Sequence, residues 1–311
     1  EGKEADPRKD ELIEYLCLRL LKLAAVKDKA VRFRVAQIVG SLMNAMPEDA
    51  EVSDELFESL EGSMLARCRD KVPGVRAWAI RSLFRLQDPS VASDAITTEL
   101  LRLMACDASK EVRMAAVSTV APSKHAIAAL LLRTRDVTEE VRLHALHVIS
   151  AKVEMRWLAI SQRAWLLSRA LADRAPAVRA KCAELLHGWL RKLGAAKPGE
   201  APPSPAAAPP PSDAFNALLK GLDVASYETA AERAIGTLLD AAPTRALVAG
   251  AAADWAQCTP EAALCLRLYA ERLAAAGADD AEALDAALPE LPAYCDALKG
   301  ALGRCGLSPS G

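Results

Sequence analysis

The run DKVPGVRAWAIRSLFRLQDP, Asp70 to Pro89, decides the fold. An acid opens it, Pro73 follows, and from Val75-Arg76 onward apolar residues recur at Val75, Ala79, Leu83 and Leu86. Steps of three and four lay these side chains along one stripe of an α-helix, whereas a half-buried strand would alternate. Proline is tolerated in the first helical turn, where the missing N–H has no helical partner. The Asp70 carboxylate is placed to accept from the exposed N–H groups at the helix start, and the first-turn arginine to pair with an aspartate.

The same word recurs as DASKEVR (Asp107–Arg113), DVTEEVR (Asp136–Arg142) and DRAPAVR (Asp173–Arg179), and in shortened form as DKAVR (Asp28–Arg32). Its valine stands at 31, 75, 112, 141 and 178, giving intervals of 44, 37, 29 and 37 residues, the period of a helix pair. Apolar stripes follow each copy: Val31, Val35, Ile38 and Leu42; Val112, Ala116 and Val120; Val141, Ala145 and Val148; Val178, Cys182, Leu185 and Trp189. A further helical pattern precedes each, such as Leu56, Leu60, Met64 and Leu65, or Ile127, Leu130 and Leu131, or Ile160, Trp165, Leu166 and Leu171. Such pairs cannot bury their apolar faces alone, so the expected fold is all-α: an α-solenoid of helix-pair repeats stacked into a superhelical rod.

Composition agrees with a folded chain. Over 311 residues, 52% are apolar, 26% charged and 4% aromatic, which excludes disorder. No apolar run approaches the roughly 20 residues that span a bilayer, and no membrane partner is expected. The opening EGKEADPRKDELIEY lacks both an initiator Met and a basic-then-apolar signal, and is read as the start of a piece of a longer intracellular protein. Cysteines at 17, 68, 106, 182, 258, 265, 295 and 305 form no CxxC pair and read as reduced thiols, Cys182 as a small core hydrophobe.

Between Asp28 and Arg191 the words become narrower than the repeat alone requires. VRFRVAQIVGSLMNAMPE (Val31–Glu48), MLARCRDKVPGVRAWAIRSLFRLQDP (Met64–Pro89), EVRMAAVSTVAPS (Glu111–Ser123), RTRDVTEEVRLHAL (Arg133–Leu146) and LAISQRAWLLSRALADRAPAVR (Leu158–Arg179) resemble, in order and spacing, the HEAT-repeat G subunits of condensin (CAP-G, condensin complex subunit 3). TPEAALCLRLYAERL (Thr259–Leu273) and LPELPAYCDALKG (Leu288–Gly300) resemble the family less closely. The resemblance implies HEAT-type repeats from the N-terminal portion of a longer subunit without enzymatic activity or cofactor. It also implies partners: the kleisin subunit of condensin (CAP-H type), double-stranded DNA held in a basic groove, and indirectly the SMC ATPase subunits. The implied role is mitotic chromosome condensation, and the implied location is nucleus, cytoplasm and mitotic chromosomes.

Three regions are expected: well-formed repeats over 1–193, a linker or insertion over 194–214, and degenerate helical repeats continuing the solenoid over 215–311. The middle region, GAAKPGEAPPSPAAAPPPSDA, holds seven prolines and seven alanines in 21 residues and departs from the family pattern. It lacks large apolar side chains to bury, and reads as an exposed linker, either a lineage-specific insertion or a Pro-rich ligand. Helical patterning resumes at Phe215, Leu218, Leu219 and Leu222, then Ala231, Ile235, Leu238 and Leu239, without the acid and Val-Arg word.

Charge is uneven: residues 1–193 carry 31 Lys plus Arg against 26 Asp plus Glu, and the remainder 8 against 15. A polyanion would therefore meet the first part. Asp70, Arg76, Asp107, Arg113, Asp136, Arg142, Asp173 and Arg179 are assigned to a structural ladder, together with Arg32, because the repeat itself provides each arginine with an aspartate. The DNA-binding candidates are the extra cations: Arg34, Arg67, Arg69, Lys71, Arg81, Arg85, Lys152, Arg156 and Arg163. If second helices line a concave face, Arg34, Arg81 and Arg85 share it.

Other chemistry is sparse. His144 and His147 stand three apart without a further ligand at a useful distance, His125 and His187 are isolated, and no metal site is expected. No phosphate-cradling loop or nucleophile elbow occurs. Trp78, Trp157, Trp165, Trp189 and Trp255 fall at helical positions and read as packing residues. Two functions remain: a DNA-holding, kleisin-binding condensin subunit, and a peptide-binding HEAT scaffold without a DNA role.

Overall fold

A computed structural model describes residues 7–47, 53–91, 93–194, 212–241 and 259–276, with short pieces at 292–293, 295–296 and 299–300. Its helices start where the chain offers an acceptor. Asp28 accepts from Ala30 N at 2.7 Å at the head of α2 (Lys29–Ala45), Ser53 from Leu56 N at the head of α3 (Asp54–Arg67), and Asp94 from Thr97 N at the head of α5 (Ala95–Cys106). Ser123 does the same for α7 (Lys124–Arg133). Each removes one of the backbone donors that a helix start leaves without a partner.

The remaining second helices begin differently. α4 (Pro73–Ser82), α6 (Lys110–Thr119), α8 (Glu139–Lys152) and α10 (Pro176–Gly194) each follow an aspartate whose Oδ1 accepts, at 2.9 Å, from the N–H two residues on: Asp70 from Val72, Asp107 from Ser109, Asp136 from Thr138, Asp173 from Ala175. This is the Asx turn that short acidic side chains favour.

The chain divides into two compact units, 1–154 and 155–311. In the first, α1 (Pro7–Leu21) pairs with α2, α3 with α4, α5 with α6 and α7 with α8; α1, α3, α5 and α7 form one layer, and α2, α4, α6 and α8 the other. This is a HEAT-type α-solenoid arrangement. The stripes of α4, α6 and α8 lie inside it, with Val75, Ala79, Leu83, Val112, Ala116, Val120, Val141 and Ala145 at 0% exposure. The stripe expected on α2 is different: Val31 and Ile38 face solvent, and the buried face runs through Val35, Ala36, Val39, Gly40 and Met43. Gly40 permits a close approach, since a Cβ there would lie 2.9 Å from Ser82 Oγ on α4.

In the second unit, α9 (Ile160–Ala170) precedes α10, and then the alternation changes. α11 (Ser212–Lys220) packs on α10, α12 (Glu228–Ala241) packs on α9, and α13 (Pro260–Ala276) lies against α12 and α11. Phe215, Leu218, Leu219, Leu222, Ala231, Ile235, Leu238 and Leu239 are buried there. Most of the Pro/Ala-rich stretch (195–211), most of Leu288–Gly300, and Trp255, Cys258 and Cys305 lie outside the described residues. Trp189 is buried, whereas Trp157, in the 3₁₀ turn Met155–Trp157, is 47% exposed.

Consecutive repeats of the first unit are joined by bidentate ion pairs. Arg32 Nε and Nη2 reach the two Asp70 oxygens at 2.7 and 3.1 Å, Arg76 reaches Asp107 at 2.7 and 2.8 Å, and Arg113 reaches Asp136 at 2.8 and 2.7 Å. Each arginine also donates through Nη1 to two carbonyls of its own turn, Asp107 and Ala108 in the case of Arg113. Arg142 and Arg179 make the same carbonyl contacts, with Asp136 and Val137 and with Asp173 and Arg174. Planar guanidinium matches planar carboxylate, so the pair fixes orientation as well as distance.

Burial pushes the Asp70 carboxyl upward, but the Arg32 hydrogen bond, the Val72 N–H and the charges of Arg32 and Arg67 outweigh it and hold it below the usual carboxylate range. Asp136 stands likewise: burial is offset by Arg113, the Thr138 N–H and the charges of Arg113 and Arg133. A depressed folded-state value means that these groups stabilise the fold above the unfolded carboxylate range, and that this stability fades as pH falls through about 4. Urea midpoints measured from pH 7 to pH 3 should therefore decline at the acid end, and Asp136→Asn should flatten that decline. At neutral pH, Arg113→Ala should cost about 3–5 kcal/mol, because it strands a buried carboxylate. Lys110→Ala, which breaks the exposed pair with Glu140 at 2.7 Å, should have little effect in the same urea titration.

Candidate functional site

The nine extra cations do not stand free as a group. Arg67 pairs with Asp70 at 3.1 Å, and Arg69 with the buried Glu99 at 3.3 Å; Arg69 and Glu99 also line a 430 Å³ pocket with Ser93 and Thr98. Lys71 is exposed in the turn before α4. On the second-helix layer, Arg34 is exposed, bonded to Gln37 Oε1 at 2.7 Å and 5.7 Å from the Phe33 ring. Arg81 lies over Trp78 at 4.8 Å, and burial lowers its pKa. Stacking of this kind orients a guanidinium while leaving its N–H edges available.

Arg85 lies beyond the end of α4, in the 3₁₀ turn Phe84–Leu86, and donates to the carbonyls of Pro47, at 2.6 Å, and Met46. It thus covers the C-terminal carbonyls that follow α2, where a helix favours positive charge. Lys152 acts similarly on α6, donating to Ser118 O at 2.6 Å while lying 5.7 Å from the Phe84 ring; burial lowers its pKa. Both cations line an open groove of about 1030 Å³ with Met43, Phe57, Phe84 and Pro122. In the second unit, Arg163 donates to Met155 O at 3.0 Å and Gly221 O at 2.7 Å, and Arg156 is exposed in the 3₁₀ turn.

His144 Nε2 lies 2.5 Å from Ser118 Oγ, and burial, then the neighbouring His147 and Lys152, hold its pKa below the ordinary value. Burial pushes the Cys68 and Cys182 thiols up to about 12, so both stay protonated at neutral pH. Among the described residues no group of three His, Cys, Asp or Glu is placed to hold a metal, and no helix is long and apolar enough to cross a membrane.

Sequence reading passed over Gln87. Its carboxamide donates to Phe84 O and Thr119 O, both at 2.9 Å, and accepts from Ala121 N at 2.8 Å. One side chain thereby ties the RLQDP word of one repeat to the VAPS word of the next, at the open end of α6. Only the joint presence of those two words hinted at it. Gln87→Ala leaves the Ala121 N–H and Thr119 carbonyl without this partner and should cost about 1–3 kcal/mol by urea titration. Gln87→Glu retains the acceptor but loses the donor, and should fall between the two.

No family model matches the chain. It is 34% identical over 295 residues to human "Condensin complex subunit 3", covering 92% of this chain and 27% of that protein. The Xenopus laevis protein of the same name is 32% identical over 302 residues, covering 94% of this chain and 28% of its own length. Among solved structures, the S. pombe condensin Cnd3-Cnd2 subcomplex matches with a TM-score of 0.77 and 25% identity, covering 96% of this chain and 37% of that one. The chain spans little more than a quarter of the length of these curated relatives. With HEAT-type helix pairs throughout its first unit and likeness along nearly its whole length, the chain belongs to the condensin complex subunit 3 family.

Proposed function

We propose that the chain is a non-catalytic HEAT-repeat part of a condensin subunit that binds the kleisin subunit and double-stranded DNA in mitotic chromosome condensation, acting with the SMC ATPase subunits. One observation carries this reading: the match to Cnd3, which was solved as the Cnd3-Cnd2 subcomplex. On this reading its locations are the nucleus, the cytoplasm and mitotic chromosomes. Arg34, Lys71 and Arg81 are its phosphate contacts in the first unit, being outside the ladder and without an acidic partner among the described residues. Arg85, Lys152 and Arg163 instead serve backbone carbonyls. That commitment is also what favours the second reading, a protein-binding scaffold without a DNA role.

Fluorescence anisotropy with a short duplex, from about 50 to 200 mM salt, separates the two readings. DNA binding should weaken steeply with salt, and Arg34→Glu combined with Arg81→Glu should reduce affinity at least tenfold in a chain that still unfolds cooperatively in urea. Binding that is insensitive to both salt and charge reversal sinks the DNA role. Capture of a purified kleisin fragment by the wild-type chain tests the other half, and its absence contradicts that half independently.

A further inference from the structure

Ser118, near the end of α6, is held twice from α8. His144 Nε2 lies 2.5 Å from its hydroxyl, and Lys152 donates to its carbonyl at 2.6 Å. His147 follows His144 by one turn of the same helix. Lys152 lies in turn against the Phe84 ring at 5.7 Å, in the groove that Arg85 also lines. The join between the third and fourth helix pairs thus gathers basic side chains around one serine.

The charged groups of the neighbouring elements are engaged elsewhere. α8 packs on α6 and α7. On α6, Lys110 pairs with Glu140, Glu111 accepts from Ser109 and Arg113 is held by Asp136, all at the helix end remote from Ser118. On α7, Arg133 reaches Asp136 and the Ala105 carbonyl, while Lys124 and His125 are exposed in the first turn. On α8 itself, Glu140 is committed to Lys110, Glu139 is exposed and Arg142 donates to the Asp136 carbonyl. Among the described residues no carboxylate pairs with His144 or Lys152. A neutral imidazole suits this half-buried place; a protonated one brings a further charge beside a lysine, and burial disfavours it. Burial, then His147 and Lys152, accordingly hold the His144 pKa below its ordinary value.

We infer that the α6–α8 contact is a proton-sensitive joint, which His144 closes on Ser118 when neutral and which loosens when protonation sets the imidazolium against Lys152. A histidine whose folded-state pKa is lowered takes its proton more readily in the open chain. The joint is therefore at full strength above the ordinary histidine range and weakens as pH falls through it. This window lies above that of the ladder carboxylates.

Hydrogen exchange on the intact chain, read as protection factors at about pH 7.5 and about pH 5.5, tests the joint. Protection over residues 114–119 and 141–152 should fall at least about twofold at the lower pH. His144→Gln, which keeps a hydrogen-bonding group and does not titrate, should abolish that fall. Burial, then Arg191, also lowers the pKa of His187, but that residue belongs to α10 in the second unit. His187→Gln should therefore leave the fall in α6 and α8 intact. Protection that is unchanged in the wild-type chain, or that falls equally in His144→Gln, overturns the proposal. An NMR titration of the His144 ring needs no variant: its midpoint should lie below that of the urea-unfolded chain, and a midpoint at or above it overturns the joint equally.

Discussion

In the first unit, α4, α6 and α8 each begin at a turn whose buried aspartate has two jobs. One oxygen accepts an N–H of its own turn, and both accept the guanidinium sent from the repeat before. The arginine is equally divided, because its third nitrogen holds two carbonyls of the turn from which it departs. A single pair therefore closes two turns and sets the distance between two repeats. Buried ion pairs are poor stabilisers when isolated, since desolvation offsets attraction. Here almost every lone pair and proton finds a partner, which is the condition under which burial of charge is tolerated, and the planar geometry defines register between apolar layers that would otherwise slide.

Around this ladder the same chemistry recurs at helix ends. Arg85 covers the carbonyls after α2, Lys152 one of α6, and in the second unit Arg233 covers Ser168 at the end of α9. Backbone carbonyls in a last turn lack helical partners and attract cations. Much of the positive charge is thus structural, and the cations left for a polyanion are fewer than composition suggests. Those that remain on the second-helix layer of the first unit, Arg34 and Arg81, lie against Phe33 and Trp78.

The repeat was legible because its period and its acid and Val-Arg word are local. The burial of Val75, Val112 and Val141 follows directly from that pattern. The fate of Val31 and Ile38 was not legible, because the shortened DKAVR word leads into a helix whose buried face runs instead through Val35, Ala36, Val39 and Met43. Cation roles were also hidden: Arg81 and Arg85 stand four residues apart, yet the helix ends at Ser82, so one stacks on Trp78 and the other caps α2. The change of layer at α11 and α12 had no signal either, since the acid and Val-Arg word is absent there.

The claim on which the account rests is that the bidentate pairs couple neighbouring repeats. A double-mutant cycle on Arg76 and Asp107, with each changed to alanine singly and together, measures that coupling by urea denaturation. Coupling of about 2 kcal/mol or more is expected, with the double variant far less unstable than the sum of the singles. Additive losses, with coupling near zero, would contradict it.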